Sequence, residues 1–508
     1  MTQEGSARTP AAPGQLRLNT GPGRWVLVGA VLGSGIAFLD ATVVNLALPR
    51  IGEQLDATLG ELSWIVNAYT LTLASLILLG GSLGDRFGRR RVFLIGVVWF
   101  AAASVLCALA PSTGFLIAAR ALQGIGGALL TPGSLAILQA SFAPGERARA
   151  IGAWSGLGGI SAAAGPFLGG WLVGTAEWGW RVAFLINVPF AALVVWVALR
   201  HMPESTNPQA PRRIDIVGAV LAAVGLAGLT YGLTTAGERG FGDPVTLAWL
   251  LGGVAALVAF VVVERRSPNP MLPLDIFANP QFNWTNVVTF IIYGAFGAAL
   301  FLLGIYLQTV VGYSPLLAGL ATMPVTALML LLSARAGRLA QRIGPRLPMT
   351  LGPIAVGAGL ALMVRIGPGA GYLTDILPGV VVFGAGLALT VAPLTATVLA
   401  AVDNRHAGVA SGVNNAVARA GSLLAVATIP VLAGLTGDAY QDPARFQSGF
   451  RVATLVSGAL CALSGVIAWF TIRNDVLAGD EPDPERQVTD NHCSVSGPPL
   501  RTPVVKRA

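Results

Sequence analysis

Apolar runs about twenty residues long, divided by short polar segments, recur along nearly the whole chain. A helix needs about 20 residues to cross ~30 Å of hydrocarbon. Runs of that order lie at 25–48, 62–82, 92–110, 114–138, 150–174, 181–200, 214–235, 246–263, 283–307, 316–336, 347–366, 375–400, 407–434 and 449–472. The pattern predicts an all-α integral membrane protein with 14 transmembrane helices. Residues 1–23 are polar and rich in Pro and Gly, without the pattern of a cleavable signal, and are expected to be a disordered tail. Residues 474–508, with six acidic side chains and several prolines, are expected to form a second one.

Composition agrees with lipid as the main solvent. Of 508 residues, 54% are hydrophobic and 11% charged, where a soluble domain carries about 25% charged residues. The net charge of +8 is spread over short loops, so it does not form the clustered face that nucleic acid requires. Topology accounts for it. With a cytoplasmic N-terminus, 24 Lys/Arg fall in cytoplasmic segments and six near the outer side, which places both termini in the cytoplasm. Trp25, Trp64, Trp178, Trp180, Trp249 and Trp469 fall near span ends, where indoles favour the interface. One Lys against 31 Arg, with abundant Ala and Gly, suggests a GC-rich bacterial genome and hence the inner membrane of a bacterial cell. Cys107, Cys461 and Cys493 have no paired spacing, and His201, His406 and His492 lie in loops or the tail. Neither a metal centre nor an enzyme active site is expected.

The chain echoes itself. Gly81-Ser82-Leu83-Gly84-Asp85-Arg86-Phe87-Gly88-Arg89-Arg90 follows the second span, and Gly337-Arg338-Leu339-Ala340-Gln341-Arg342-Ile343-Gly344-Pro345-Arg346 follows the tenth. Duplicated halves are a hallmark of transporter bundles. The expected organisation is a six-helix half at 24–200, two inserted helices with linkers at 201–282, and a second six-helix half at 283–473.

Within the first span stands Asp40. An Asp at a helix centre costs roughly 2.5–3.5 kcal/mol on insertion scales, so it marks a partner, a cavity or an ion path. Arg120 lies in the fourth span at nearly the same depth, ~9 Å from its outer end against ~13 Å for Asp40. Burial and a guanidinium pull a carboxyl's proton affinity in opposite directions, a balance that opening and closing can shift. Asp40 and Arg120 are therefore the candidate proton-coupling pair, and a fixed structural ion pair is the competing reading.

Residues Leu39 to Pro49, the Gly81–Arg90 loop, Arg120-Ala121-Leu122-Gln123-Gly124, Gly165-Pro166-Phe167-Leu168-Gly169-Gly170, Trp180-Arg181 through Asn187-Val188-Pro189, and Tyr306-Leu307-Gln308 with Gly312-Tyr313-Ser314-Pro315 occur in that order. Together they resemble the signatures of the major facilitator superfamily, specifically its 14-segment drug:proton antiporters. The resemblance implies proton-coupled efflux of lipophilic drugs or antibiotics by alternating access. It also implies a gate in which Gly81, Gly84, Asp85, Arg86, Gly88 and Arg89 act near the cytoplasm, with Asp85 capping the helix that starts at about His406–Gly408. Gly165, Pro166, Gly169 and Gly170 match the antiporter helix motif.

In that fold the first, fourth, ninth and twelfth spans line the cavity. Candidate substrate contacts are Asn45, Gln123, Asn286, Tyr293, Tyr306 and Gln308. One acid and two bases, Arg120 and Arg419, lie inside the bundle, so the expected substrates are neutral, monocationic or zwitterionic amphiphiles. The expected partners are such a small amphiphile, protons and the lipid bilayer, with no nucleic acid. The chain is taken as a monomer driven by the proton gradient without a cofactor. An exporter of an endogenous lipid or metabolite is the alternative, and a non-transporting membrane scaffold or sensor a more distant one.

Overall fold

The computed structural model describes residues 16–207, 215–268, 270–403 and 407–477. The first half comprises α1 (Gly21–Leu55), α2 (Leu59–Phe87), α3 (Arg89–Ala108), α4 (Thr113–Ser141), α5 (Pro144–Thr175), α6 (Gly179–Leu185) and α7 (Asn187–His201). Next come α8 (Ile216–Arg239) and α9 (Pro244–Arg266). The second half holds α10 (Pro280–Thr309), α11 (Pro315–Ile343), α12 (Arg346–Met363), α13 (Leu377–Ala400), α14 (Ala407–Leu432) and α15 (Pro443–Thr471). Among the described residues, 13 helical segments are long and apolar enough to cross a membrane, with α6 and α7 together forming one of them. The fourteenth span is α5, 32 residues long.

Local chemistry fixes the breaks. Pro189 has no N–H to offer the carbonyl of Leu185, so the sixth span parts into α6 and α7 around Ile186. At the α1–α2 turn, Asp56 takes a left-handed conformation (φ 49°). There Thr58 and Glu61 form a reciprocal capping box on α2.

Both halves use the same pairings. α1 packs on α5 and α7, α2 on α4, and α3 on α4 and α6. In the second half α10 packs on α14 and α15, α11 on α13, and α12 on α13 and α15. Two seams join the halves, α5 against α11 and α2 against α14. The inserted helices pack on each other, and α8 leans on α2 and α14, covering that second seam. On α9, Leu251, Val254 and Val258 are 50–67% exposed, as a lipid-facing helix requires.

The N-terminal segment differs from expectation in its last part. Residues 16–23 are ordered: Leu16 N donates to Ser141 O at 2.8 Å, Leu18 N donates to Glu146 Oε2 at 2.6 Å, and Thr20 caps α1. These polar bonds tie the segment to the α4–α5 turn, a tertiary contact that composition does not reveal. At the other end, Asn474–Leu477 form a 3-10 turn, and Asn474 Oδ1 accepts from Arg346 N at 3.2 Å. The rest of both expected tails, 1–15 and 478–508, lies outside the described residues.

Candidate functional site

Asp40 and Arg120 meet directly. Arg120 Nη1 lies 2.5 Å from Asp40 Oδ2, and neither residue is more than 1% exposed. The other carboxylate oxygen, Oδ1, accepts from Gln123 Nε2 at 2.9 Å and from Asn187 Nδ2 at 3.0 Å. Both amides also donate to Ser104 Oγ, at 2.8 and 3.2 Å. Arg120 Nη1 donates to Gln123 Oε1, Arg120 Nε donates to Ile65 O at 3.1 Å, and the guanidinium lies 4.4 Å from the Tyr69 ring centroid. Five helices contribute: α1, α2, α3, α4 and α7.

Every side chain touching Asp40 gives it a hydrogen. The packing seals the cluster in this conformation. Sequence reasoning missed Asn187 and Ser104 as partners and placed Gln123 among substrate contacts. Gln123, three residues after Arg120, shares its helix face, and the available signal for Asn187 is an amide inside an apolar run, two residues before Pro189.

The antiporter-motif residues lie where three helices cross. A methyl at Gly165 would stand 2.9 Å from Thr42 Cβ, and one at Gly169 3.0 Å from Val43 Cα, so α5 lies tightly on α1. On the opposite side, a methyl at Gly170 would stand 2.6 Å from Pro315 O, and one at Gly319 2.2 Å from Pro166 O. The same short stretch thus holds α5 to α1 and to the second half at α11. Other contacts close this Arg-poor end of the bundle. Gln308 Nε2 donates to Leu46 O at 3.1 Å, Leu59 N to Gly437 O at 3.1 Å, and Tyr440 Oη to Ala57 O at 2.8 Å. Burial pushes the Tyr440 phenol up, which keeps it a neutral donor.

At the Arg-rich end, Asp85 pairs with Arg89 at 2.8 Å, and the Arg86 guanidinium lies 5.0 Å from the Phe87 ring. Gly81 and Gly84 lie beside Pro132 and Arg89, and Gly88 turns the chain with φ 109°. The anion that caps α3 is Glu204, accepting from Arg90 N at 3.0 Å and Arg91 N at 3.1 Å. The expected cap by Asp85 on the helix beginning near His406 falls largely outside the described residues, since 404–406 are not described.

Remaining candidates divide by role. Asn286 Oδ1 accepts from Asn414 Nδ2 at 3.1 Å, linking α10 to α14, and Tyr306 Oη donates to Ile366 O at 2.9 Å while its ring stacks on Phe450. Asn45 keeps a buried Oδ1 without a partner. Tyr293 lines a 120 Å³ cavity with Thr395, Ser411, Asn414 and Asn415, between α10, α13 and α14. Ser411 and Asn414 lie near the start of α14 and Thr395 near the end of α13, which puts the cavity in the Arg-rich half of the bundle.

A family model for the Major Facilitator Superfamily matches residues 30–426. Similar proteins include a puromycin resistance protein of Streptomyces alboniger, 35% identical over 90% of this chain and 93% of that one. A tetracenomycin C resistance and export protein of Streptomyces glaucescens is 34% identical over 86% and 80%. A multidrug resistance protein of Mycobacterium tuberculosis is 36% identical over 79% and 74%. Among solved structures, a bacterial homologue of the human lysosomal transporter Spinster superposes with a TM-score of 0.64 over 89% of this chain and 97% of that one. At 15% identity that likeness concerns the fold alone.

Proposed function

The chain belongs to the Major Facilitator Superfamily, and from that premise we propose that it is a proton-coupled exporter of lipophilic drugs or antibiotics. The resistance and export relatives support the cargo class. One observation carries the coupling: a buried carboxylate whose counter-charge and amide donors come from separate helices. Protonating Asp40 in place would strand Arg120 in a low-dielectric core, and breaking a buried pair typically costs about 3–5 kcal/mol. Proton uptake is therefore tied to helix movement that gives Arg120 another partner or water.

Under the positive-inside distribution, the Arg-rich end is cytoplasmic, in the inner membrane of a bacterial cell, with both termini inside. The present conformation is then closed outside, at the α5–α11 crossing and the Tyr440 and Gln308 bonds, with its cavity in the cytoplasmic half. Substrate would load from that side. Separation at α5–α11 would next expose both substrate and Asp40 to the outside, where a proton displaces Arg120 and the cargo leaves. The proton would be released inward on return. The proposed driving force is the proton gradient, acting on a monomer without a bound cofactor.

Accumulation of lipophilic antibiotics in everted vesicles tests this reading. An imposed pH gradient should drive uptake, a protonophore should abolish it, and Asp40→Asn should uncouple the two. Unchanged proton dependence in Asp40→Asn would remove the coupling role.

A further inference from the structure

We infer that Arg419 forms an anion-binding subsite in the translocation path, and that the preferred cargo is an amphiphile bearing a carboxylate or similarly acidic group. The inference rests on the efflux reading and narrows its substrate class.

Charge placement carries it. The sequence alone allows Asp40 to balance a cationic cargo, but the structure commits its two oxygens to Arg120, Gln123 and Asn187. Arg419, on α14, has no such arrangement. Its Nε is buried without a hydrogen-bond partner, and among the described residues the groups acting on its charge are Tyr69 and Tyr293, neither a carboxylate. Among the described residues, the uncommitted charge inside the bundle is positive.

Position makes that charge usable. Arg419 stands one helical turn beyond Asn415, a cavity-lining residue, and the neighbouring Ala418 lines the same cavity. Tyr293, which lines that cavity, is among the groups whose charge bears on Arg419. The side chain is only partly buried although it belongs to a spanning helix whose neighbouring positions pack inward. Ser422 lies against Gly297 of α10, and Gly412 against Leu78 of α2. Its accessible surface therefore faces the interior path rather than lipid. An unpaired guanidinium in such surroundings is costly, and an incoming anion supplies what the chain does not. Asn414, Asn415 and Ser411 add neutral polar groups beside it, and Tyr293 offers an aromatic face. A carboxylate on an apolar body matches that combination, with a fork of N–H donors for the acid.

Tyr69 links this subsite to the coupling cluster. Its ring lies under Arg120, while its hydroxyl is felt by Arg419.

The test uses the full-length protein in phosphatidylcholine nanodiscs and three acid–ester pairs: fusidic acid, naproxen and rhodamine B against their alkyl esters. Equilibrium dialysis should show the acids binding at least tenfold more tightly than the esters, about 1.4 kcal/mol. In Arg419→Gln the preference should fall below twofold with ester affinity unchanged, and Arg419→Lys should retain most of it. If no acid outbinds its ester in the wild type, or if the preference survives in Arg419→Gln, the inference is overturned. Should the preference vanish when phosphatidylglycerol is added to the discs, the site belongs to a lipid headgroup and the cargo assignment falls. Vesicle uptake separates the two readings. Gradient-driven transport without acid preference removes only the subsite, whereas acid binding through Arg419 without gradient-driven transport removes only proton-coupled efflux.

Discussion

Removing one member of the Asp40–Arg120 pair should harm the protein more than removing both charges. The two groups touch at 2.5 Å with at most 1% exposure, so neither can be rescued by bulk water in the closed conformation. Unit charges about 4 Å apart attract by about 4 kcal/mol at an effective dielectric near 20, and stranding one partner of a buried pair typically costs about 3–5 kcal/mol. Asp40→Asn leaves Arg120 with Ile65 O, Gln123 Oε1 and the Tyr69 ring. Arg120→Gln leaves Asp40 with the two amides. Each single variant should lose about 3 kcal/mol or more against SDS-induced unfolding in mixed micelles. The double variant Asp40→Asn/Arg120→Gln restores a neutral, hydrogen-bonded cluster and should lose less than either single, giving a coupling energy of more than about 3 kcal/mol. It should also be stable yet fail to accumulate drug in response to a pH gradient. Additive losses, or single variants within 1 kcal/mol of wild type, would refute the buried-pair reasoning.

Three further outcomes follow from individual contacts. Gly319→Val places branched carbon where even a methyl would lie 2.2 Å from Pro166 O, so it should hold α5 and α11 apart and cut transport about tenfold. Paired spin labels across the Arg-poor end should report longer distances, and unchanged distances would reject the crossing as the closure point. Tyr440→Phe removes the bond to Ala57 O, worth about 0.5–1.5 kcal/mol, and should shift the closed-to-open ratio at that end by roughly two- to twelvefold in the same measurement. Glu204→Ala removes the anion from the start of α3 and should cost about 1 kcal/mol in the unfolding assay, a loss that a purely exposed side chain would not show.

The spans were legible because each must hold about twenty apolar residues in a row, and that demand leaves a trace in any window of the chain. The α6–α7 break at Pro189 was not read, because an apolar run interrupted by one missing N–H still reads as a single span, 181–200. Depth could also be counted, which is why Asp40 and Arg120 could be matched across 80 residues. Rotation about a helix axis could not. Gln123, Asn187 and Ser104 are uncharged residues whose partners depend on which way each helix faces, and one turn of misreading sends Gln123 to the substrate instead of the acid. The same limit hid Glu204, a loop residue whose target, the start of α3, is far away in sequence. It also concealed the ordering of residues 16–23, since three bonds to the α4–α5 turn outweigh a polar, glycine-rich composition.

The duplicated halves have diverged in a way that bears on mechanism. Equivalent pairings recur, yet the buried polar cluster of the first half contains a charged pair, while that of the second, Asn286, Thr289 and Asn414, is neutral. A neutral cluster can hold α10 to α14 through the cycle because none of its members changes charge with pH. In the proposed mechanism, the charged cluster joining α1, α4 and α7 is the one that answers to a proton. The second half instead contributes Arg419, whose Nε has no hydrogen-bond partner among the described residues, and the cavity lined by the neighbouring Ala418. Under that mechanism the acid that takes the proton lies in one half and the cargo's contacts in the other, so rocking the halves apart separates the two sites. A transporter built this way needs no direct competition between proton and substrate for one carboxylate. In the proposed mechanism, coupling would reside in which seam can open at each charge state.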